Sequence, residues 1–204
     1  MAVVNRHNVL TGRKRTHRVG ACLCMLLTLW SLVLGDVRAG AESSAPSRQQ
    51  VQAAFLFNFA KFVTWPDEAF KHNPDMLIIG VIGEDPFGAI LEETVHDKTI
   101  LGKRLAVRRF AKIEDATNSQ ILFLGSSEEN HLSSIIKTLE KTNTLTVSDI
   151  DQFAEQGGMV AFTLEDQKVR FSVNMEAVER AELKMGSQLL KLARIVSEKT
   201  QKGK

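Results

Sequence analysis

Apolar residues recur along the chain with two spacings, which predict helices and strands in alternation. Residues 49–63 are apolar on more than one side at helical spacing, and this helix should end before Trp65 and Pro66, because the residue preceding a proline avoids helical backbone. Short apolar or alternating runs predict strands at 76–82, 103–110, 121–124 and 144–147, and a hairpin at 159–164 and 168–173. Further helices are predicted at 87–95, 130–141 and 175–197.

The order of these elements indicates the fold class. Strand and helix alternate as far as Val147, which favours right-handed crossovers and a largely parallel sheet. The late hairpin adds antiparallel strands at one side. The sequence therefore predicts an α/β fold, a three-layer sandwich in which helices flank a Rossmann-like mixed sheet.

The first 41 residues have the pattern of a secretory signal peptide. Arg13–Arg15 is basic, Val19–Leu34 is an uncharged run of 16 residues, and Ala39–Ala41 is a small-residue cleavage site. The run is shorter than the about 20 residues that a membrane-spanning helix needs. We therefore expect a signal peptide at 1–41, a single domain at 42–204, and a location in the periplasm.

Removal of this segment changes the charge and the redox chemistry. The remaining chain has 20 basic and 23 acidic side chains, a balance that argues against nucleic acid as a partner. Both cysteines, Cys22 and Cys24, are lost with the segment. The exported chain is thus expected to contain no disulfide, no catalytic cysteine and no cysteine metal site.

The residues offer little chemistry for an enzyme. His72, His96 and His131 lack a second ligand at metal-binding spacing. The glycines of Gly83–Gly88 have the spacing of a phosphate loop, but the lysine and hydroxyl that complete such a loop are missing. No pair of a nucleophile and a base is visible, so we expect no enzymatic activity, no metal and no cofactor.

Polar residues follow the predicted parallel strands, whose carboxyl ends share one edge of the sheet where ligands bind in such folds. Helix caps and turns explain serine and aspartate at these positions equally well. If this edge binds a ligand, its free carboxylates favour an amine, a hydroxylated molecule or a cation over a phosphate. The residues concerned are Glu84, Asp85, Ser126, Ser127, Ser148 and Asp149.

Several ordered blocks of the sequence resemble the YfiR family. The first is the segment AAFLFNFAKFVTWP at 53–66, and the resemblance extends over about residues 49–196. The further blocks are GEDPFG at 83–88, LTVSD at 145–149, FAEQGGM at 153–159, VRFSVN at 169–174 and LLKLA at 189–193.

The resemblance implies a small periplasmic α/β protein without catalytic residues. The best understood type of member binds the extracytoplasmic sensor domain of an inner-membrane diguanylate cyclase and holds it inactive, which lowers cyclic di-GMP and biofilm formation. Other members occur beside, or fused to, sensor histidine kinases and outer-membrane receptors. The implied partner is thus an inner-membrane sensor protein, a diguanylate cyclase or a histidine kinase.

The chain departs from the family at two positions. Members often carry cysteine where this chain has Gly80, and Cys-His where it has Ser119 and Gln120. Both cysteine positions are lost together, as the two halves of a disulfide would be. Redox control through such a pair is therefore not expected here.

The first helix is the expected contact surface, because it is apolar on more faces than one core contact can bury. We expect two of its phenylalanines at 55, 57, 59 and 62 to be core and the others to be partly exposed. The residues predicted to bind the partner, or a second copy of the chain, are Phe57, Phe62, Trp65 and Pro66.

Two other functions are compatible with the residues. A periplasmic small-molecule sensor that serves a histidine kinase would use a pocket at the strand-end edge, lined by Glu84, Asp85 and Ser126. A hydrolase is the third reading, and the missing nucleophile–base pair counts against it.

The predicted cleavage site can be tested on the exported protein. We expect the exported protein to begin at Glu42, because cleavage should follow the small residues Ala39–Ala41. Amino-terminal sequencing of the protein released from the periplasm measures this directly. An intact amino terminus in the membrane fraction would contradict it.

Overall fold

The computed structural model describes residues 45–199, and the predicted signal peptide at 1–41 lies outside this range. The helices are α1 (Arg48–Phe62), α2 (Ala89–Val95), α3 (Ile113–Ala116), α4 (Leu132–Leu139), α5 (Met175–Arg180) and α6 (Ser187–Leu190), with 3-10 helices at Asp67–Phe70 and Ser126–His131. The strands are β1 (Val63–Thr64), β2 (Met76–Ile82), β3 (Thr99–Ile100), β4 (Lys103–Phe110), β5 (Ile121–Leu124), β6 (Leu145–Ser148), β7 (Val160–Glu165), β8 (Lys168–Asn174), β9 (Lys184–Met185) and β10 (Arg194–Val196).

An eight-stranded mixed sheet lies at the centre, with the strand order β10-β8-β7-β6-β5-β2-β4-β3. The run from β7 to β4 is parallel throughout, while β8 is antiparallel to β7 and β3 is antiparallel to β4. Strands β1 and β9 form a separate antiparallel pair. The predicted α/β class with a mixed sheet is confirmed.

The central strands are buried on both faces, which is why their sequences are continuous apolar runs. Leu77, Ile79 and Val81 of β2 join the cluster that contains α1 and α2, whereas Ile82 joins the cluster of α4 on the opposite face. Helices therefore cover both sides of the sheet, and the predicted three layers are present.

Helix α1 begins and ends where its sequence indicates. Ser47 and Gln50 form a capping box, in which the Gln50 amide donates to Ser47 Oγ at 3.2 Å and the Ser47 amide donates to Gln50 Oε1 at 2.7 Å. The helix ends at Phe62, and extended backbone at Val63 leads into Trp65 and Pro66. The amino-terminal cap and the extended residue at Val63 thus mark the two ends of the helix.

The prediction of one long helix at 175–197 is wrong. Helix α5 ends in a Schellman motif, in which Glu182 has a left-handed φ of 59° and the Leu183 amide donates to Val178 O at 3.1 Å. Glycine is the usual residue at this position, so the glutamate gave no stop signal. The reversed chain then lets Met185 pair with Val63, and β10 join the edge of β8.

A second predicted helix is shorter than expected. Residues 130–141 form α4 only over Leu132–Leu139, and a 3-10 helix precedes it. The remaining predicted helices and strands occur within a few residues of their expected limits.

Gln120 joins three parts of the fold from a buried position. Its side-chain Oε1 accepts from the Ile78 amide at 2.7 Å, and its Nε2 donates to Ala69 O at 2.6 Å. Its backbone oxygen accepts from the Leu145 amide at 2.8 Å and from Trp65 Nε1 at 3.0 Å. One residue thus supplies hydrogen-bond partners to β2, to the start of β6 and to the segment that follows α1.

Replacing this residue should have a large effect on stability. We expect Gln120→Leu to lower the free energy of unfolding by roughly 2–4 kcal/mol, because two backbone partners lose their hydrogen bonds inside the protein. Denaturant unfolding measures the change. Gln188→Leu, at an exposed position, is the control and should stay within about 0.5 kcal/mol of the parent. A Gln120→Leu protein as stable as this control would refute the role of Gln120.

Candidate functional site

The predicted ligand edge lies where the order of the parallel strands reverses. Strands β2 and β5 are neighbours here, and their chains continue to opposite sides of the sheet. Crevices at such reversal points are the usual ligand sites of open parallel sheets. The turns that follow these strands, 83–85 and 125–127, carry the predicted Glu84, Asp85, Ser126 and Ser127.

The two turns are in direct contact. Ser127 Oγ accepts a hydrogen bond from the Glu84 amide at 2.9 Å. A Cβ atom at Gly125 would lie 2.1 Å from the Glu84 carbonyl oxygen, so only glycine allows this approach. The reversal point is therefore closed by backbone contact between the turns.

Asp85 is held by neighbouring groups. Its Oδ1 accepts from the Phe87 amide at 2.8 Å, and its Oδ2 lies 2.7 Å from the Arg109 guanidinium. Arg109 also donates to Glu92 and, at 2.8 Å, to Gly88 O. The cluster fixes α2 and its preceding turn against β4.

The Arg109 cluster changes the pKa of its members. Hydrogen bonding from Arg109 holds the pKa of the Glu92 carboxyl below its ordinary value, and the same bond raises the pKa of Arg109. The resulting contribution to stability is present above the ordinary pKa of glutamate. It is lost as the pH falls through the lowered value.

Ser148 and Asp149, at the end of β6, also have bonding partners. Ser148 Oγ donates to Leu124 O at 2.8 Å and accepts from the Ile150 amide at 3.0 Å. Asp149 forms an ion pair with Arg48 at 3.1 Å, which ties the start of α1 to the sheet edge. These bonds are of the kind that cap helices and form turns. The neighbouring residues Glu84 and Ser126 are exposed.

The phenylalanines of α1 are less buried than expected. The expectation of two core rings is wrong, because Phe59 is fully buried while Phe55, Phe57 and Phe62 are half-buried. Phe55 still packs on the core, with its ring centroid 5.2 Å from that of Phe171. The helix thus leaves three aromatic side chains with partial access to solvent.

Phe57 and Phe62 border the outer face of α1. They lie about 140° apart around the helix axis, at 100° per residue, with Ala54, Asn58 and Lys61 between them. A lysine approaches each ring, since Lys98 Nζ lies 4.4 Å from the Phe57 centroid and Lys61 Nζ lies 5.1 Å from that of Phe62. The outer face is therefore a strip of small and polar side chains between two aromatic borders.

Trp65 and Pro66 differ in accessibility. The Trp65 side chain is only 6% exposed, and its indole nitrogen donates to Gln120 O. Pro66 is half-buried and lines a surface cavity together with Met175, Leu183 and Met185. Trp65 therefore fixes the exit of α1, and Pro66 reaches the surface.

Sequence reasoning did not identify the roles of Arg109, Lys98 or Gln120. Arg109 meets Asp85 and Glu92 across separations of 24 and 17 residues, and no local pattern connects these positions. Alternation along 103–110 was the available signal, because it places Arg109 on the α2 side of β4 with Leu105 and Val107.

The two positions at which the family often has cysteine are adjacent in space. A Cβ atom at Gly80 would lie 2.9 Å from Ser119 Oγ. Ser119 is buried, and its hydroxyl finds no hydrogen-bond partner within residues 45–199.

The described residues show neither a metal cluster nor a spanning helix. Within 45–199, no group of three or more histidine, cysteine, aspartate or glutamate side chains could hold a metal ion. In the same range, no helix is both long enough and apolar enough to cross a membrane.

Comparison with protein families gives one match over most of the chain. The family described as YfiR/HmsC-like matches residues 49–194. This range contains all but the first residue of α1, the strand-end turns and the central sheet from β2 to β8, and it ends at the first residue of β10.

Solved structures show more distant likeness. A conserved domain protein from Vibrio cholerae is 11% identical, with a TM-score of 0.49, and the match covers 73% of this chain and 60% of that one. The ABC domain from Streptococcus pneumoniae, solved in complex with L-Trp, is 9% identical with a TM-score of 0.43 and coverages of 63% and 58%. The chain thus spans about three fifths of each structure.

The contact between the turns can be tested with two neighbouring serines. Ser127→Ala should lower the free energy of unfolding by about 0.5–1.5 kcal/mol, because the Glu84 amide loses its acceptor. Ser126→Ala, one residue away and exposed, is the control and should change it by less than about 0.5 kcal/mol. Equal effects of the two changes in chemical denaturation would show that the contact contributes nothing.

Proposed function

The chain belongs to the YfiR/HmsC-like family of periplasmic regulators in the diguanylate cyclase pathway, and on this premise we propose that it represses an inner-membrane cyclase by direct contact. In this proposal it binds the extracytoplasmic sensor domain and holds it inactive. The consequence is less cyclic di-GMP and less biofilm. No catalytic step is involved.

The outer face of α1 is the proposed contact surface. The observation that supports it most is the pair of half-buried rings, Phe57 and Phe62, at the borders of a strip of small and polar side chains. Aromatic side chains surrounded by polar groups are typical of the residues that dominate binding energy at interfaces. Pro66, four residues after Phe62, is half-buried and offers an apolar contact beyond the end of the helix, beside Met175 and Met185.

Trp65 has a supporting role in this surface. Its hydrogen bond to Gln120 fixes the chain between Phe62 and Pro66, so that both keep a defined position. A rigid contact surface loses less conformational entropy on binding than a mobile one. We therefore assign the contact to Phe57, Phe62 and Pro66, and the positioning to Trp65.

Repression would work by conformational selection. The regulator stabilises the inactive arrangement of the sensor domain only if it binds that arrangement more tightly than the active one. A switch from almost entirely active to almost entirely inactive needs about 5.5 kcal/mol of differential affinity. A few well-packed aromatic contacts that exist only in the inactive complex can supply energies of this size.

Phe57→Ser tests the contact surface. We expect it to abolish repression, seen as raised cyclic di-GMP in cells that carry the variant in place of the parent. Because Phe57 is only half-buried, the free energy of unfolding should fall by no more than about 1–2 kcal/mol. Cellular cyclic di-GMP and the thermal melt of the purified protein are measured together.

Two controls separate binding from folding. Asn58→Ser, on the same outer face, should keep both stability and repression. Trp65→Phe should lower stability by about 1 kcal/mol through the lost hydrogen bond, and it should weaken repression less than Phe57→Ser does because the contact residues remain. A Phe57→Ser protein that is folded and represses fully would overturn the proposed surface.

A further inference from the structure

The outer edge of β4 is open over most of its length. Strand β3 is the outermost strand, but it has only two residues, which pair with Lys103 and Arg104. Beyond this pairing the Leu105 amide donates to Lys98 O at 3.1 Å. The segment from Ala106 to Phe110 therefore has β2 on one side and no strand on the other side in the described part of the chain.

The backbone groups that face this open edge follow from the alternation of the strand. The Arg104 amide donates towards β2, to Asp75 O at 3.0 Å, whereas the Leu105 amide points outwards. Successive residues of a strand face opposite neighbours, so Val107 and Arg109 direct their N–H and C=O groups to the outside. Two residues thus offer four backbone groups to an added strand.

A groove runs beside this edge on the α2 side of the sheet. Its volume is about 450 Å³, and Met76, Val95, Leu105 and Val107 belong to its apolar lining. Its charged lining includes Lys98 and Asp97, and Asp97 lies 3.0 Å from His96. Glu92 lies on its rim, where the ion pair with Arg109 compensates its charge. An added strand could place an apolar side chain in this groove.

The opposite face of β4 is basic. Arg104 and Arg108 are exposed and lie four residues apart, with the half-buried Ala106 between them, so all three point to the same side. Among residues 45–199 neither guanidinium takes part in an ion pair. Both charges are therefore available to a partner.

We propose that the open edge of β4 binds one extended acidic segment of a partner protein as an additional strand. The segment would hydrogen-bond to Val107 and Arg109. It would alternate, with apolar residues towards the groove and carboxylates on the face of Arg108, where Arg104 lies at the end of the open segment. This inference goes beyond repression of a cyclase, because it does not depend on which protein supplies the segment.

The charge of the strand argues against a second copy as the occupant. Two β4 strands paired edge to edge would bring Arg104 and Arg108 of both copies onto one face. Like charges on facing strands are destabilising, whereas opposite charges stabilise the pairing. The basic face thus favours an acidic strand over another β4.

Nuclear magnetic resonance with short peptides tests the proposal. The exported protein, labelled with ¹⁵N, is titrated with the blocked peptide Ser-Val-Glu-Val-Glu-Val-Ser and with its counterpart that has lysine at both glutamates. We expect saturable amide shifts centred on Val107 and Arg109 with the glutamate peptide. The lysine peptide should bind about tenfold more weakly or not at all. Added salt should weaken the binding of the glutamate peptide.

Variants of the edge separate backbone pairing from charge. Val107→Pro removes an amide that the sheet does not use and should abolish binding without a large change in the melting temperature. Val107→Ala keeps the amide and trims only the groove, so it should weaken binding by no more than about threefold. The double change Arg104→Glu and Arg108→Glu should weaken binding by about tenfold or more. Its control is Lys168→Glu with Arg170→Glu, which alters the net charge equally on β8 and should have no effect.

Several results would overturn the proposal. Equal binding of both peptides, or shifts that map away from β4, would exclude an acidic strand at this edge. Self-association that Val107→Pro removes, with no response to either peptide, would make a second copy the occupant. If Val107→Pro does not fold, the charge variants decide, and unchanged peptide affinity in Arg104→Glu with Arg108→Glu contradicts the proposal.

Discussion

The structure depends on hydrogen bonds that pair buried backbone groups where the chain enters the sheet. Ile78 of β2, Leu145 at the start of β6 and Ala69 after α1 meet around one buried residue, and each brings a backbone polar group. Gln120 supplies donors and acceptors for all of them, through both its backbone and its side chain. Trp65 bonds to the same residue, and this buried hydrogen bond fixes the direction of the chain after α1.

Close contacts between turns also fill the cleft in which proteins of this fold class often bind ligands. The turns after β2 and β5 touch through Gly125 and Glu84, and Ser127 bonds across them. Arg109 and Arg48 neutralise the neighbouring carboxylates, Asp85 and Asp149. Ser127, Ser148, Asp85 and Asp149 thus hold the turns of this edge together.

The two proposed contact surfaces adjoin at Lys98. Its ammonium group lies over Phe57 on the border of α1, while its carbonyl oxygen holds the Leu105 amide at the start of the open edge. A partner that covers the outer face of α1 would thus end close to the groove beside β4. One sensor domain could contact the aromatic border with a folded surface and the edge with an extended segment, and each contact would raise the effective concentration for the other.

The sequence by itself determined the α/β class, the strands of the central sheet and α1, because their periodicity and caps are local properties. It also placed the polar residues at one edge, since the carboxyl ends of parallel strands must meet there. Only the tertiary structure decided that the edge is closed, that Phe57 and Phe62 are half-buried, and that Trp65 is internal. The prediction of one helix at 175–197 failed for the same reason. Glu182 adopts a left-handed conformation that its residue type does not indicate. Pairing of Met185 with Val63 and of β10 with β8 outweighs the helical pattern. Such long-range contacts are absent from any local pattern.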